Sequence, residues 1–315
     1  MKIVITGATG AIGHALIGLC IENNIEVLAI CHRNSTRIHT LPQSDCVKVM
    51  ELDLEEYDDV EDQILLKYGR YDVFYHLAWS GTARAARNVM ELQYKNIAYS
   101  LAAVKLAKRL GCSTFIGAGS QAEYGRVEGV LRADTPAFPE NGYGIAKLCA
   151  GQMTRISCKQ KGIKHIWTRI LSVYGPYDGE DTMVISTIRK LLQGETPAFT
   201  KGEQQWDYLY SKDAARAMLL LGKDGVADCI YPIGYGKTEL LKTYIEIIKA
   251  AVDPTAKIEL GKIPYADKQV MYLCADISAL KKDTGFVPQT SFDKGIRETT
   301  AWVKKTILEE GGENA

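Results

Sequence analysis

The chain has 315 residues, of which 46% are hydrophobic and 24% charged, so it is long enough to bury a large core in one or two globular domains. Its 38 basic and 38 acidic residues balance, so no basic field attracts nucleic acid or an anionic membrane, and neither is expected as a partner. Eight cysteines lie scattered without a C-x-x-C pair, and no secretory or membrane-spanning apolar run is found, which favours reduced thiols in a cytoplasm.

Short apolar runs alternate with amphipathic segments through the first two thirds of the chain. Residues 88–109 repeat apolar side chains at helical spacing and are predicted to form a helix. This alternation predicts an α/β fold in which a doubly wound parallel sheet, the Rossmann architecture, is covered by helices on both faces. The predicted strands, each rich in β-branched residues, are residues 2–6, 26–31, 47–52, 72–78, 113–118 and 164–171.

The pattern loosens after about residue 176, where shorter helical segments are joined by glycine- and proline-rich connections. We expect a sheet domain formed by residues 1–175 with returning segments near 207–235, and a smaller C-terminal α/β lobe formed by residues 176–206 and 236–315. The ligand crevice is expected at the carboxyl ends of the strands. The predicted helices of this part are residues 182–193, 212–222, 238–251 and 293–309.

The sequence TGATGAIGHAL places Gly7, Gly10 and Gly13 between the first predicted strand and a helical run. The spacing is G-x-x-G-x-x-G rather than G-x-G-x-x-G, but the physical need is similar. One glycine turns the chain, one lets the backbone approach a pyrophosphate, and one packs the helix on the strand. The order of strand, loop and helix favours a dinucleotide site over the alternative, a plain tight turn.

The end of the second strand selects the dinucleotide, because an acid there binds an adenosine 2′-hydroxyl and a cation accommodates a 2′-phosphate. Here the sequence is CHRNSTR, with Cys31 where the acid is expected, followed by Arg33 and Arg37. We predict NADP, used as NADPH, with NAD as the alternative; a solvated basic loop would have the same sequence. Asp53, after the third strand, is placed to meet the adenine amine, although a turn-capping aspartate has the same pattern.

The sequence NGYGIAK places Tyr143 and Lys147 four residues apart, so both lie on one face of a helix. A lysine ammonium close to a phenol lowers the pKa of the phenol and can also hold the nicotinamide ribose. A tyrosine tuned in this way donates or accepts a proton at neutral pH. Alone, the Y-x-x-x-K pattern is common by chance, but together with the glycine loop it is the second half of a pattern.

These motifs, with the serine of GSQAEYG and the later RILSVYGP and WDYLYSKDAARA, make the chain resemble the extended short-chain dehydrogenases/reductases of the nucleotide-sugar epimerase/dehydratase type. The resemblance runs nearly end to end and includes DISALKKDTGFVPQTSFDKGI near the C-terminus. It implies a nucleotide-diphosphate sugar as substrate, bound by the smaller lobe, with the dinucleotide on the sheet domain. It also implies a homodimer formed by the helices that carry Asn96 and Tyr143.

The resemblance assigns roles to individual residues. Ser120 and Tyr143 would hold the substrate carbonyl or hydroxyl, with Tyr143 moving the proton. Lys147 would lower the pKa of Tyr143 and bind ribose, and Asn96 would support Lys147, unless it is a plain helix-surface residue. Cofactor contacts are expected from Gly7, Thr9, Gly10, Ala11, Ile12, Gly13, His32, Arg33, Asp53, Leu54, Ala78, Tyr143 and Lys147, and substrate contacts from Ser80, Ser120, Gln121, Ser172 and Trp206.

Two segments depart from the family pattern. Where the 4,6-dehydratases of this family carry an Asp-Glu pair that eliminates water, this chain has Gln121 and Ala122, and neither side chain can act as a general acid or base. The reactions that remain as candidates are ketone reduction and epimerisation. Further along, Ser172 stands where the family often has asparagine, and Trp206 stands where it has an arginine that clamps the diphosphate.

We predict an NADPH-dependent reductase of a 4-keto-6-deoxy or 3,6-dideoxy nucleotide sugar, because GSQAEYG and GEQQWDYLYSKDAA resemble 4-ketoreductases of the CDP-abequose and CDP-paratose synthase type. The alternative is a nucleotide-sugar 4-epimerase that retains NAD, against which the basic segment at Arg33 argues. A non-catalytic NADP-binding protein on the same fold is a further alternative, which the complete set of Ser120, Tyr143 and Lys147 disfavours. No metal site is expected, since His76 has no second ligand at metal spacing.

Overall fold

The computed structural model describes residues 1–312 of the chain. The strands in this range are β1 (Lys2–Thr6), β2 (Glu26–Cys31), β3 (Val47–Glu51), β4 (Val73–His76), β5 (Thr114–Ser120), β6 (Lys164–Ile170), β7 (Ser172–Tyr174), β8 (Gln205–Trp206), β9 (Tyr208–Tyr210), β10 (Cys229–Ile233), β11 (Glu239–Leu240) and β12 (Tyr272–Leu273). The helices are α1 (Ala11–Glu22), α2 (Asp62–Leu66), α3 (Met90–Arg109), α4 (Gly142–Lys161), α5 (Met183–Leu192), α6 (Ser211–Asp224), α7 (Leu241–Val252), α8 (Ser278–Thr284) and α9 (Phe292–Gly312). None of these helices is long and apolar enough to cross a bilayer.

Seven of the strands form one sheet, in the order β10-β6-β5-β4-β1-β2-β3. Every neighbouring pair within it is parallel. The strand order reverses at β1, which lies between β2 and β4, so the connections after β1 and β4 run to opposite faces of the sheet and leave a crevice at the carboxyl ends of these strands. The predicted doubly wound Rossmann sheet is confirmed.

The sheet is buried on both faces because its strands are apolar runs whose side chains alternate between the faces. In β1, Ile3 and Ile5 belong to the core beneath α1 and α6, whereas Val4 belongs to the core beneath α3. A helix pair closes each face, α1 with α6 on one side and α3 with α4 on the other. The carboxyl end of β1 is therefore held rigidly where the glycine loop begins.

The helices α5, α7 and α9 pack together and have an apolar core of their own, formed in part by Ile185, Ile188, Ile248 and Val303. Two small sheets, β7-β9 and β11-β8-β12, accompany these helices. Strand β7 follows β6 after one residue, Leu171. This part of the structure consequently begins where a strand of the main sheet ends.

The short strands β7, β8, β9, β11 and β12 outside the main sheet were not predicted, and two strands of the main sheet also differ from the prediction. β5 continues two residues past its predicted end, so Ser120 is its last residue and is buried. Strand β10 was not predicted; it contains Pro232, which usually argues against a strand. Because β10 is the edge strand of the sheet, the missing N–H of a proline is tolerated there.

Candidate active site

The loop between β1 and α1 carries its three glycines at positions where a side chain would fail for different reasons. Gly7 has a φ of +70°, and a Cβ there would lie 2.8 Å from the backbone of Leu77 and Ala78. A Cβ on Gly13 would collide with the carbonyl oxygen of Gly7. At Gly10 a Cβ would meet only that oxygen, at 3.6 Å, so the position is open to the cleft. A tight turn, an open face and a closely packed helix are what a pyrophosphate needs.

Helix α1 begins directly after Gly10 and has uncapped backbone amides at its N-terminus. No side chain caps this end of the helix, and its first turn has no acidic residue. The free N–H groups and the positive end of the helix dipole suit a phosphate group. The residues present therefore fit a dinucleotide cofactor.

One cleft runs along the carboxyl ends of the central strands. Its two parts have volumes of about 590 Å³ and 340 Å³ and share Gly7 and Trp79. Most of the predicted cofactor residues are brought together here, but Arg33 does not line the cleft. The larger part is lined by Thr9, His32, Asp53, Leu54, Ala78 and Ser80 among others, and the smaller by Gly10, Ala11, Ile12, Gly13, Ser120, Tyr143 and Lys147 among others.

The guanidinium of Arg33 binds Glu56. Its Nε donates to the two carboxylate oxygens at 2.9 and 3.2 Å, and its Nη2 donates to one of them at 3.0 Å. The hydrogen bonds and charge of this pair raise the pKa of Arg33 and lower the pKa of Glu56, so both groups stay ionised. A carboxylate held against this guanidinium would repel a 2′-phosphate. In this structure Arg33 is therefore engaged by Glu56, and its contact with a 2′-phosphate stays a prediction.

Asp53 caps a turn, as one of the two interpretations predicted, and its contact with the adenine amine stays a prediction. Its side chain accepts a hydrogen bond from the Arg33 amide at 2.9 Å and caps the turn 54–56, while Glu56 accepts from the Asp53 amide at 2.8 Å. Asp53 also lines the larger part of the cleft. One aspartate thus fixes the turn and remains placed for a ligand.

Ser120, Tyr143 and Lys147 meet in the smaller part of the cleft. Ser120 ends β5, and the other two lie one turn apart on α4, whose first turn is capped by the Asn141 side chain accepting from the Gly144 amide at 2.8 Å. The Ser120 side chain is close enough to the Tyr143 hydroxyl to lower the pKa of Tyr143. Lys147 Nζ lies 5.8 Å from the centre of the Tyr143 ring. Two neighbouring hydroxyls near an ammonium can exchange a proton with a substrate oxygen.

The charges in this trio differ from the expectation. Burial raises the pKa of Tyr143, although part of the residue stays exposed, and the Ser120 hydrogen bond and the Arg87 charge offset only part of the rise. Burial lowers the pKa of Lys147 to about 7, against the opposing attraction of Glu123. Lys147, which is 4% exposed and loses its hydration, is not among the groups that lower the pKa of Tyr143 here, so that role of Lys147 stays a prediction.

Lys147 is held by a residue that the sequence analysis did not single out, Trp79. The Lys147 ammonium donates to the Ala118 carbonyl at 2.5 Å and lies 3.8 Å from the centre of the Trp79 ring. The same ring meets Tyr143 edge-on, with 6.1 Å between ring centres. An indole face attracts a cation, so Trp79 stabilises the protonated form of Lys147. The sequence could have indicated Trp79, because it is an aromatic residue between Ala78 and Ser80, which were both predicted to line the site.

Asn96 is neither a surface residue nor a direct partner of Lys147 within the described residues. It is 1% exposed, and its amide accepts from the Ser80 N–H at 3.0 Å and donates to the Ser80 carbonyl at 2.9 Å. It also donates to the Leu92 carbonyl at 3.0 Å. Asn96 therefore fixes the backbone of Ser80 at the cleft, because a buried amide must find such partners.

Gln121, Ser172 and Trp206 do not line either part of the cleft. Gln121 begins the short turn Gln121–Glu123, in which Ala122 is buried. The other two contact each other, since Trp206 Nε1 donates to Ser172 Oγ at 2.7 Å. The two departures from the family pattern in the later segments are thus one structural unit.

Glu123, inside the GSQAEYG motif, is a buried carboxylate that the sequence analysis passed over. It accepts hydrogen bonds from the Ser120 amide at 2.8 Å, Trp167 Nε1 at 3.0 Å and Arg169 Nε at 2.9 Å. Burial raises the pKa of Glu123, and the charge of Arg169 opposes the rise. Because it holds the backbone of Ser120, Glu123 positions the hydroxyl at the end of β5. In the sequence, the feature that could have indicated its burial is that Glu123 lies between Ala122 and Tyr124.

His76 lies in the core beside the cleft. Its two ring nitrogens are hydrogen-bonded to Thr6 Oγ1 at 3.0 Å and Ser100 Oγ at 3.3 Å. Burial, with a smaller contribution from Lys147, lowers the pKa of His76 to about 3, so the ring is neutral. No group of three metal-binding side chains occurs in the part of the chain that the structure describes.

The chain is similar to known proteins along most of its length. Residues 3–234 match the protein family described as "NAD dependent epimerase/dehydratase family". The UDP-glucuronate 4-epimerase of Thermodesulfobacterium geofontis is 26% identical, over 96% of this chain and 96% of its own. The dTDP-glucose 4,6-dehydratase of Salmonella typhimurium is 25% identical, over 96% and 92%. A crystal structure of UDP-glucose 4-epimerase from Thermotoga maritima, 23% identical, matches 98% of this chain and 100% of that one with a TM-score of 0.85.

Proposed function

The chain belongs to the NAD dependent epimerase/dehydratase family, as its motifs predicted, and on this premise we propose that it is a nucleotide-sugar 4-epimerase that keeps NAD bound between turnovers. The observation that carries the proposal is the ion pair of Arg33 with Glu56. This pair engages the cation expected to select a 2′-phosphate and puts a carboxylate at the same place. NAD has no phosphate there and is not repelled.

The choice of cofactor bears on the reaction. A reductase consumes one reduced cofactor in each turnover and must exchange it. An epimerase oxidises the sugar at C4 and then reduces it again, so the cofactor returns to its first state without leaving. A cleft that favours NAD suits the second reaction, and the family relatives include a 4-epimerase.

The residues in the smaller part of the cleft have the chemistry for proton transfer at C4. Bound NAD would supply hydride chemistry, removing a hydride from C4 and returning it to the other face of the ketone. Tyr143 would accept the proton of the C4 hydroxyl and later give it back. Ser120, which lines the same part of the cleft as Tyr143, would donate to the same substrate oxygen and stabilise its developing charge. Lys147 would hold the ribose beside Tyr143.

Dehydration is disfavoured by the residues that follow Ser120. Elimination of water needs an acid and a base beside the sugar, and Gln121 and Ala122 provide neither. The dehydratase among the relatives therefore supports the substrate class more than the reaction. The remaining acid of the motif, Glu123, is fully engaged by the backbone of Ser120 and the side chains of Trp167 and Arg169.

The relatives named above act on UDP- and dTDP-sugars, which supports a nucleotide-diphosphate sugar as the substrate. We assign the dinucleotide to residues 1–175 with 207–235, and the sugar nucleotide to the lobe of residues 176–206 and 236–315. Trp206 of that lobe, hydrogen-bonded to Ser172 at the end of the dinucleotide domain, stands where an arginine is expected. An indole can stack on a base or a sugar but cannot pair with phosphate.

The second candidate is the NADPH-dependent 4-ketoreductase, which a different residue favours. Cys31 stands where an NAD site usually has an acid for the ribose hydroxyls. Burial raises the pKa of the Cys31 thiol to about 11, so it is neutral and provides no anion. His32, on the same segment, lines the cleft.

The test uses purified protein with no cofactor added. The nucleotide that copurifies is released by denaturation and identified, and the native protein is incubated with UDP-glucose, UDP-glucuronate and dTDP-glucose. The epimerase predicts bound NAD and the C4 epimer of at least one of these sugars, with no net change in reduced cofactor. Oxidation of NADPH by a 4-keto-6-deoxy sugar nucleotide, giving a product heavier by two hydrogen atoms, would instead establish the reductase.

We further propose that the enzyme is a cytoplasmic homodimer. On the outer face of α3 and α4 the apolar side chains of Tyr94, Ile145, Met153 and Ile156 are exposed, which is costly for a monomer in water. Pairing of this face with its copy would bury them in a four-helix bundle. None of the eight cysteines forms a disulfide, which suits a reducing compartment.

A further inference from the structure

Arg87 lies against the face of Tyr143. The guanidinium carbon of Arg87 is 4.6 Å from the centre of the Tyr143 ring. Arg87 Nε is buried and has no hydrogen-bond partner among the described residues. A buried guanidinium N–H without a partner is costly, so the position needs a compensating interaction. The facing ring of Tyr143 is the group that can provide it.

The turn that carries Arg87, Arg84–Asn88, is fixed at both ends. Asn88 Oδ1 accepts a hydrogen bond from the Gly142 amide at 3.0 Å, which joins the turn to the first turn of α4. At the other end Arg84 forms an ion pair with Asp181, in the segment before α5. Arg87 is thus held over Tyr143 by the backbone around it.

Arg87 is the nearer and the more permanent of the two cations at Tyr143. Lys147 Nζ lies 5.8 Å from the ring centre, and burial lowers the pKa of Lys147 to about 7. A guanidinium does not lose its proton in a protein. Near neutral pH the constant positive charge facing this phenol is therefore that of Arg87.

We propose that Arg87 is a positioning residue that acts through Tyr143, as the permanent cation that stabilises its phenolate. In the proposed reaction the phenolate Oη takes the proton of the C4 hydroxyl while the hydride leaves C4, so the negative charge must exist on Tyr143 beforehand. The other groups that face Tyr143 are the Ser120 hydroxyl from β5, Lys147 from α4 and Glu123 from the turn after β5. Glu123 opposes the phenolate, but its charge is matched by Arg169.

The test follows the ionisation of Tyr143 itself in the protein as purified. Tyrosine labelled with carbon-13 at Cζ is incorporated, and the Tyr143 resonance is assigned by its loss in Tyr143→Phe. Arg87→Met removes the charge and keeps the length of the side chain, while Arg87→Lys keeps the charge. Arg155→Met removes a charge from the same helix as Tyr143, about three turns away, and is the matched control.

We expect Arg87→Met to raise the midpoint of the Tyr143 titration by about one pKa unit or more, the shift that one charge at this distance gives at an effective dielectric constant of roughly 20 to 40. Arg87→Lys and Arg155→Met should stay close to wild type. An unchanged midpoint in Arg87→Met would overturn the proposal. If Arg87→Met does not fold, Arg87→Gln makes the same comparison.

The inference rests on the proposed function only for the use of the phenolate. The titration needs no turnover, so a shifted midpoint in a protein that epimerises no sugar nucleotide would uphold Arg87 and refute the epimerase. In an active enzyme the pH at which kcat reaches half its maximum should rise with the Tyr143 midpoint, while the NAD content stays constant. A fall of kcat that is equal at every pH would indicate a structural role and would count against the proposal.

Discussion

Both carboxylate oxygens of Glu56 accept hydrogen bonds from the guanidinium of Arg33. If this pair keeps Arg33 from a 2′-phosphate, Glu56→Gln should release the guanidinium and remove the repelling charge. We expect the affinity for NADP to rise roughly tenfold, since one charge-assisted contact is worth about 1.5 to 3 kcal/mol, while the affinity for NAD changes little. Calorimetric titration of both dinucleotides measures this.

The double variant Glu56→Gln with Arg33→Met is the control for that experiment. It should lose the gain in NADP affinity, because no guanidinium remains to be released. An unchanged NADP affinity in Glu56→Gln would show that the ion pair does not set the cofactor preference. Tight NADP binding by wild type would favour the reductase.

The buried Lys147 should make the stability of the cofactor-free protein depend on pH. Burial lowers the pKa of Lys147 from 10.5 to about 7. Between these values the unfolded chain binds a proton that the folded chain does not, so the free energy of unfolding rises with pH. Below about pH 7 both states are protonated, and the full cost of burying the charge is present.

Lys147→Met removes this contribution, so the comparison of the two proteins isolates it. The difference in the free energy of unfolding, wild type minus variant, should increase by about 1.4 kcal/mol per pH unit between roughly pH 7 and 10. Urea denaturation of both proteins across this range measures the difference, in which the titration of other groups cancels. A difference that is constant with pH would mean that Lys147 is not buried as described.

The ion pair of Glu123 and Arg169 should contribute strongly to stability when one partner is removed. Arg169 is 3% exposed and Glu123 fully buried. Glu123→Gln would leave the Arg169 charge unmatched, and we expect it to lower the free energy of unfolding by about 3 to 5 kcal/mol. Adding Arg169→Met should restore a large part of the loss, because the unpaired charge is then gone. Chemical denaturation measures both changes.

Glu56→Gln is the matched control, since it breaks an ion pair that faces solvent. Exposed pairs contribute little, so its effect on unfolding should be far smaller than that of Glu123→Gln. Equal effects of the two variants would contradict the described burial of Glu123. The same would follow if the double variant were as unstable as the single one.

The exposed apolar face of α3 and α4 should be a dimer interface. Met153→Lys together with Ile156→Lys places two charges on this face, and we expect monomers by light scattering because buried unpaired charges are costly. Val226→Lys changes an exposed apolar residue outside these helices and should remain dimeric. A monomeric wild type, or a dimer that persists in the α4 variant, would rule out this interface.

The local motifs predicted the scaffold and the three residues Ser120, Tyr143 and Lys147 that meet in the smaller part of the cleft. The glycine loop, the end of β5 and the Tyr143–Lys147 spacing are each set by a few neighbouring residues, so their geometry follows from the sequence. The apolar runs likewise predicted six of the seven strands of the main sheet. The missing strand, β10, carries Pro232, and only its place at the edge of the sheet explains it.

The interactions between distant segments could not be read from the sequence. Arg33 meets Glu56 because β2 and β3 are neighbours in a register that pairs Cys31 with Glu51, and the sequence alone showed only a basic segment. The burial of Lys147 depends in the same way on which elements surround it. The sequence therefore could not show that the pKa of Lys147 is lowered. It also could not show that Arg87 lies against the Tyr143 ring as the constant cation.

The most direct test of the proposed epimerase follows one carbon–hydrogen bond. An enzyme that retains NAD removes the hydride at C4 and returns it to the same carbon. A UDP-sugar deuterated at C4 should therefore give a C4 epimer that keeps its deuterium, with no cofactor added, and Tyr143→Phe should slow the reaction by roughly 10² to 10⁴. Loss of the deuterium from C4, or NADPH consumption by a 4-keto sugar nucleotide without any epimer, would contradict the account.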